Sequence, residues 1–263
     1  MGSKHNLTFA DQVYVGGGNF PPLFSANERR GAPVNFLTKV SLGEPGAADD
    51  DGIVDAATST ELPDTETVTY TTADDGTTPF DNADTPAPST IQTSTGASAS
   101  VWALDVPRAL EAKVTHGSSV VAMTITVSGY DVYGQAMSEL FTATAGTTSK
   151  TVTGTKAFKY IESIAITAAS DAEANTLNLG WTDVLGLPYK AAAVADVVRV
   201  FFNDVLDDSA TVVAADTTTA TTGTGDVRGT VDTNSAADDS EVVVWMHVAD
   251  PNTEAGLRGV DQA

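Results

Sequence analysis

The sequence predicts a mainly β protein: an antiparallel β-sandwich or barrel, in one or more modules, with a long extended N-terminal arm and loops. Three observations lead there. Short runs alternate apolar and polar residues with a period of two, as in Met123-Thr124-Ile125-Thr126-Val127-Ser128. Turn chemistry recurs between such runs at short intervals. Charged residues are only 18% of the chain, their place taken by Thr, Ser, Ala and Gly, and Thr favours extended backbone.

With 263 residues, the chain is long enough for one large β domain or two smaller ones, and for a core without metals or disulfides. Cysteine is absent, which removes disulfides, a thiol nucleophile and Cys-based zinc sites. The 13 Lys and Arg stand against 35 Asp and Glu, a formal charge of −22. Such a surface repels nucleic acid and anionic membranes, so neither is an expected partner. Met1 to Ala10 has no apolar leader core and no run approaches 18 apolar residues, so neither a signal peptide nor a membrane span is expected.

Taken in order, Gly16-Gly17-Gly18, Pro21-Pro22 and Pro33 punctuate the first third. The stretch from Gly43 to Ala99 is dense in Asp, Thr, Pro, Ala and Ser, with short apolar interludes such as Val68 and Tyr70. Residues 1–97 therefore read as an extended arm with Asp/Thr/Pro-rich loops draped over another surface, or as a disordered linker. Residues 98–190 read as a β-sandwich core domain. In it, Met123 to Ser128 and Gln135 to Ala143 form a hairpin about the turn Tyr130 to Gly134. Gly146-Thr147-Thr148 and Gly154-Thr155-Lys156 read as further turns. Phe158 to Thr167 follows as a strand, and Leu177, Leu179 and Trp181 share one face of the next. Residues 191–263 read as a C-terminal β segment, packed on the core or forming a second small β domain. There, 191–202 begins Ala-rich, as helices do, but carries Val197, Val198, Val200, Phe201 and Phe202, which favour a strand. Thr217 to Gly225 is a low-complexity loop, and Asp226 to Val231 is a strand. Glu241 to Val248 is apolar on both faces and so central in its sheet.

Catalytic signatures are missing. No H-E-x-x-H, G-x-S-x-G or Walker pattern occurs, and the three histidines, His5, His116 and His247, are scattered. Gly16 to Gly18 lacks a dinucleotide-binding frame and reads as a hinge. Asp49, Asp50 and Asp51 offer oxygen ligands to Ca²⁺, as does Asp74-Asp75, but without the full EF-hand spacing; solvated acidic loops are the alternative. Paired carboxylates for glycoside hydrolysis usually need stacking aromatics beside them, and aromatics are only 7% here. No enzymatic activity is expected. The sparse cations, including Arg29, Arg30, Lys39, Arg108, Arg199, Arg228 and Arg258, pair with carboxylates either across an interface or within the chain.

Four motifs follow one another: Leu104-Asp105-Val106-Pro107-Arg108; Ser128-Gly129-Tyr130-Asp131-Val132-Tyr133-Gly134-Gln135-Ala136-Met137-Ser138-Glu139; Val152-Thr153-Gly154-Thr155-Lys156-Ala157-Phe158-Lys159; and Val184-Leu185-Gly186-Leu187-Pro188-Tyr189. This order, with Asp226-Val227-Arg228-Gly229-Thr230 and Asp250-Pro251-Asn252-Thr253, resembles a group of virion structural proteins of tailed phages over roughly residues 100–263. The resemblance implies a place in the virion and carries no set of functional residues. The expected role is a capsid decoration, cement or turret protein on the outer capsid surface. Its expected partners are the major capsid protein and copies of itself, for example as a trimer. Phe20, Leu23, Phe24, Arg29, Arg30 and Phe36 are the expected capsid or subunit contacts, lying among Pro and Gly with no local core; cover for the chain's own β domain is the alternative. A tail or head–tail connector component and a receptor-binding or glycan-degrading tip protein are the rival roles.

Overall fold

The structure is a computed structural model that describes residues 36–57, 67–74, 86–116, 122–168 and 175–248. Its strands are β1 (Phe36–Gly43), β2 (Asp49–Ala57), β3 (Thr67–Thr71), β4 (Pro88–Gln92), β5 (Ser98–His116), β6 (Met123–Tyr130), β7 (Ala136–Ala143), β8 (Lys150–Ala168), β9 (Asn175–Gly186), β10 (Val197–Phe202), β11 (Val205–Leu206), β12 (Thr211–Ala214), β13 (Gly229–Asp232) and β14 (Val242–Val248). The described helical structure is two 3-10 turns, Thr72–Asp74 and Val194–Asp196. The chain is mainly β, in antiparallel sheets of the sandwich or barrel class.

The larger sheet runs β12-β13-β9-β5-β8-β6-β7, with β2 on β9, β3 on β8 and β4 on β5. Strands β5 and β8 are each 19 residues long and form its frame. One edge of β5 takes β8, and its other edge takes β4 at Ser98 to Trp102 and then β9 at Arg108 to His116. Strands β8 and β9 are shared in the same way, by β3 and β5 and by β2 and β13. Such strands pass from one part of the sheet to another by bending at bulges. On β5 the register shifts lie between Ala103 and Glu111, around Pro107, a residue that a central strand admits only at a bulge.

The smaller sheet is β1-β14-β10-β11. Its inner face, with Val200, Val242, Val244, Met246 and Val248, packs on Val106, Leu185, Leu187 and Val231 of the larger sheet to form one core. The other core lies within the curl of the larger sheet, around Trp102, Leu110, Phe141, Phe158, Ile161 and Leu179. The bend lets β5 serve both: Leu104 and Leu110 belong to one core, Val106 to the other.

Several expectations meet these strands directly. The hairpin β6–β7 pairs Met123 with Ala143 through to Tyr130 with Ala136, and Val127 and Ile125 are fully buried. Strand β14 is central, between β1 and β10. The segment 191–202 divides into a 3-10 turn and strand β10. In residues 36–97, expected as arm and loops, the described parts include four strands, each laid along a strand from later in the sequence. Gly154-Thr155-Lys156, expected as a turn, lies inside β8. Glycine is needed there because a Cβ would stand 2.6 Å from Glu139 Oε2 and 3.0 Å from the Leu110 carbonyl oxygen. The strand continues through an irregular register in place of the expected turn.

Candidate functional site

Six charged residues of the quoted motifs, Arg108, Asp131, Glu139, Lys156, Asp226 and Arg228, are buried and form braces between strands. Arg108, on the bend of β5, has a side chain only 1% exposed. Its Nε donates to the Thr182 carbonyl oxygen at 2.9 Å, one Nη donates to Asp105 Oδ2 at 3.1 Å and the other to the Gly46 carbonyl oxygen at 2.8 Å. The guanidinium also meets Asp183 at 3.4 Å and lies 6.0 Å from the ring centre of Trp181. One planar fork thus joins three chain segments, a use that lysine does not replace.

The second brace joins the hairpin turn to the segments around residues 187 and 228. Asp131, fully buried, accepts from Tyr133 N at 2.8 Å and Gln135 N at 2.9 Å through Oδ1, and from Arg228 Nη1 at 2.8 Å through Oδ2. Arg228 Nε donates to the Leu187 carbonyl oxygen, its guanidinium lies 5.2 Å from the Tyr133 ring centre, and the Tyr133 hydroxyl donates to the Pro188 carbonyl oxygen. Asp226 closes the group by accepting from Ala157 N, Arg228 N and Gly229 N.

The third brace ties the irregular stretch of β8 to β7. Glu139 Oε1 accepts from Thr155 N at 2.6 Å and Thr155 Oγ1 at 3.0 Å. Burial pushes the Glu139 carboxyl up and the Lys156 ammonium down from their ordinary values; the Thr155 and Lys156 hydrogen bonds oppose the first shift, and nearby carboxylates oppose the second. Lys156 Nζ donates to the Ser138 and Thr221 carbonyl oxygens, both at 2.9 Å. The 217–225 loop is held in place by that bond and by Leu140 N donating to the Thr222 carbonyl oxygen at 2.9 Å. It meets the outer edge of β7 at Leu140.

Two groups remain at the surface. Asp49, Asp50 and Asp51, at the start of β2, have carboxylate oxygens within 4.8 Å of one another, a hard-cation donor set in kind. The Lys113 ammonium already bonds to Asp50. A hydrogen bond with Asp49, then burial and the charges of Asp49, Asp55 and Asp50, push the Asp51 carboxyl up to about 6. Trp181 borders this cluster and lies over Gly52, where a Cβ would run into the indole.

The second surface group is the outer face of the smaller sheet. Trp245, in β14, faces Lys39 of β1 on one side and Arg199 of β10 on the other. All three are exposed, Trp245 to 40%. The apolar run of β14 suggests burial on both faces, and its central pairing is as expected; on this face Val243 is buried and His247 half-buried, and the face opens at Trp245. The exposed tryptophan follows from its register, which sets it between two cations of neighbouring strands. That pairing is invisible in the run Val242 to Val248 itself.

Of the contact residues expected from the sequence, Phe20, Leu23, Phe24, Arg29 and Arg30 lie outside the described residues, as do His5 and Asp75. Phe36 opens β1 opposite Val248. His116 ends β5, and His247 is half-buried in β14 with a buried Nδ1 that has no hydrogen-bond partner among the described residues. No described helix is long and apolar enough to cross a membrane. No protein family, curated protein or solved structure matches this chain.

Proposed function

We propose that this chain is a non-enzymatic structural protein of a virus particle, bound to the outer face of the major capsid shell. The observation that supports this reading best is where the motif charges go. Arg108, Asp131, Glu139, Lys156, Asp226 and Arg228 are all buried and all engaged in joining strands. Residues placed in that way stiffen a scaffold, whereas a reaction centre needs its ionisable groups gathered in an accessible cleft. Long strands passing between two cores suit a part that works by resisting deformation. The acidic surface suits a position away from packaged nucleic acid.

Imaging of purified intact particles tests the proposal. Density for this fold repeated across the shell exterior is the expected result. A few copies at the tail or vertex would move the protein to a tail or connector role, and absence from purified particles would overturn the proposal.

A further inference from the structure

We propose that the outer face of the smaller sheet is a self-association surface, seated against an acidic surface of a second copy of this chain. This rests on the reading of the protein as a structural component of a particle, and adds to it a contact between copies with the surface that makes it. The centre of the face is the cross-strand row Lys39–Trp245–Arg199. Leu37, 48% exposed, flanks it on β1. A register shift between Val197 and Arg199 leaves Val198 exposed beside the row, and Leu206 extends the apolar surface across β11.

The cations identify the partner. Arg108, Lys113, Lys156, Lys159 and Arg228 are each bonded to carboxylates or carbonyls of their own chain. Lys39 and Arg199 form no hydrogen bond or ion pair among the described residues, yet both sit directly beside the same exposed indole. A surface that fits them must offer apolar cover for Trp245 and carboxylates to either side. With 35 acidic residues against 13 basic, another copy of this chain offers carboxylates in nearly threefold excess over cations, exposed Glu44, Asp55, Asp204, Asp208 and Glu241 among them. The row holds no carboxylate of its own, so two such faces set against each other would oppose cation to cation. The fitting contact is head-to-tail, with this face on an acidic region elsewhere on the neighbour, and a head-to-tail contact that closes makes a ring. Trp and Arg are the side chains that most often dominate interface energy, and the flanking charges fix partner and register.

Sedimentation velocity of the full chain at about 100 µM tests this, with Trp245→Ala, the double variant Lys39→Glu/Arg199→Glu, and Val213→Ser as a control on another exposed strand. The expected wild-type result is a closed oligomer. Both test variants should raise its dissociation constant about thirtyfold or more at unchanged far-UV circular dichroism, and the control should leave it alone. Should Trp245→Ala not fold, the double variant carries the test, since its two side chains are exposed and unbonded. A wild type that stays at the 27.0 kDa monomer mass overturns the proposal, as does an oligomer indifferent to both variants. A monomer that still decorates capsid shells would overturn self-association and leave the structural role standing.

Discussion

Arg228 Nη1 stands 2.8 Å from Asp131 Oδ2, joining two buried side chains 97 positions apart in the sequence. Removing one partner strands the other's charge inside the protein. Arg228→Ala is expected to cost about 3–5 kcal/mol, measured by urea unfolding. The pair Arg228→Met with Asp131→Asn should lose clearly less than the two single losses added together, because no unpaired charge is left. Additive losses would show that the ion pair contributes nothing beyond its separate parts.

Gly229 has a φ of +92°, and a Cβ there would stand 2.5 Å from the Val213 carbonyl oxygen. Gly229→Ala should destabilise by about 1–3 kcal/mol or more. Gly96, at φ +84° with open space around it, supplies the comparison. Its alanine variant bears the backbone strain alone, so its melting temperature should fall less.

Asp51 gives a pH dependence with a definite sign. Its carboxyl is raised from 3.8 to about 6, so the folded state holds this proton more tightly than the unfolded chain does. That contribution to stability is complete below the unfolded value and is lost as pH rises through about 6. Asp51→Asn should therefore raise the melting temperature at about pH 7.5 and change it little at about pH 4. Equal shifts at both values would rule out titration as the cause.

The 217–225 loop predicts an aggregation phenotype. Shortening it so that Thr222 no longer reaches β7 and Thr221 no longer reaches Lys156 leaves Leu140 N without its acceptor and frees an edge strand on which Leu140 is already 42% exposed. Exposed edges recruit other strands, so light scattering of the shortened variant should climb with concentration while the full chain stays clear.

How much of this was legible depended on where each strand's partner lies. The β6–β7 hairpin is local: its alternation and its turn sit in one window, and the sequence reading holds. Strand β14 reads well for the same reason, since its apolar run stands alone. Strands β3 and β4 have little apolar content of their own, and β2 has its Ile53-Val54 pair behind three aspartates; all three form because β8, β5 and β9 supply a ready edge, which no local window contains. Gly154 looked like a turn because glycine marks turns and close backbone approaches alike. The braces were visible only as a motif order. Asp131 and Arg228, or Arg108 and Thr182, meet through the fold, and their spacing carries no sign of it.

The pairing of Phe36 with Val248 has a consequence for biosynthesis. A ribosome adding roughly 5–20 residues per second makes β1 about 10–40 s before the partner strand β14 emerges. Through that interval β1 lacks the strand it pairs with, so the smaller sheet closes only once β14 has emerged. Until then β1 is open to mispairing with neighbouring nascent chains on the same message, and slower elongation would lengthen that exposure.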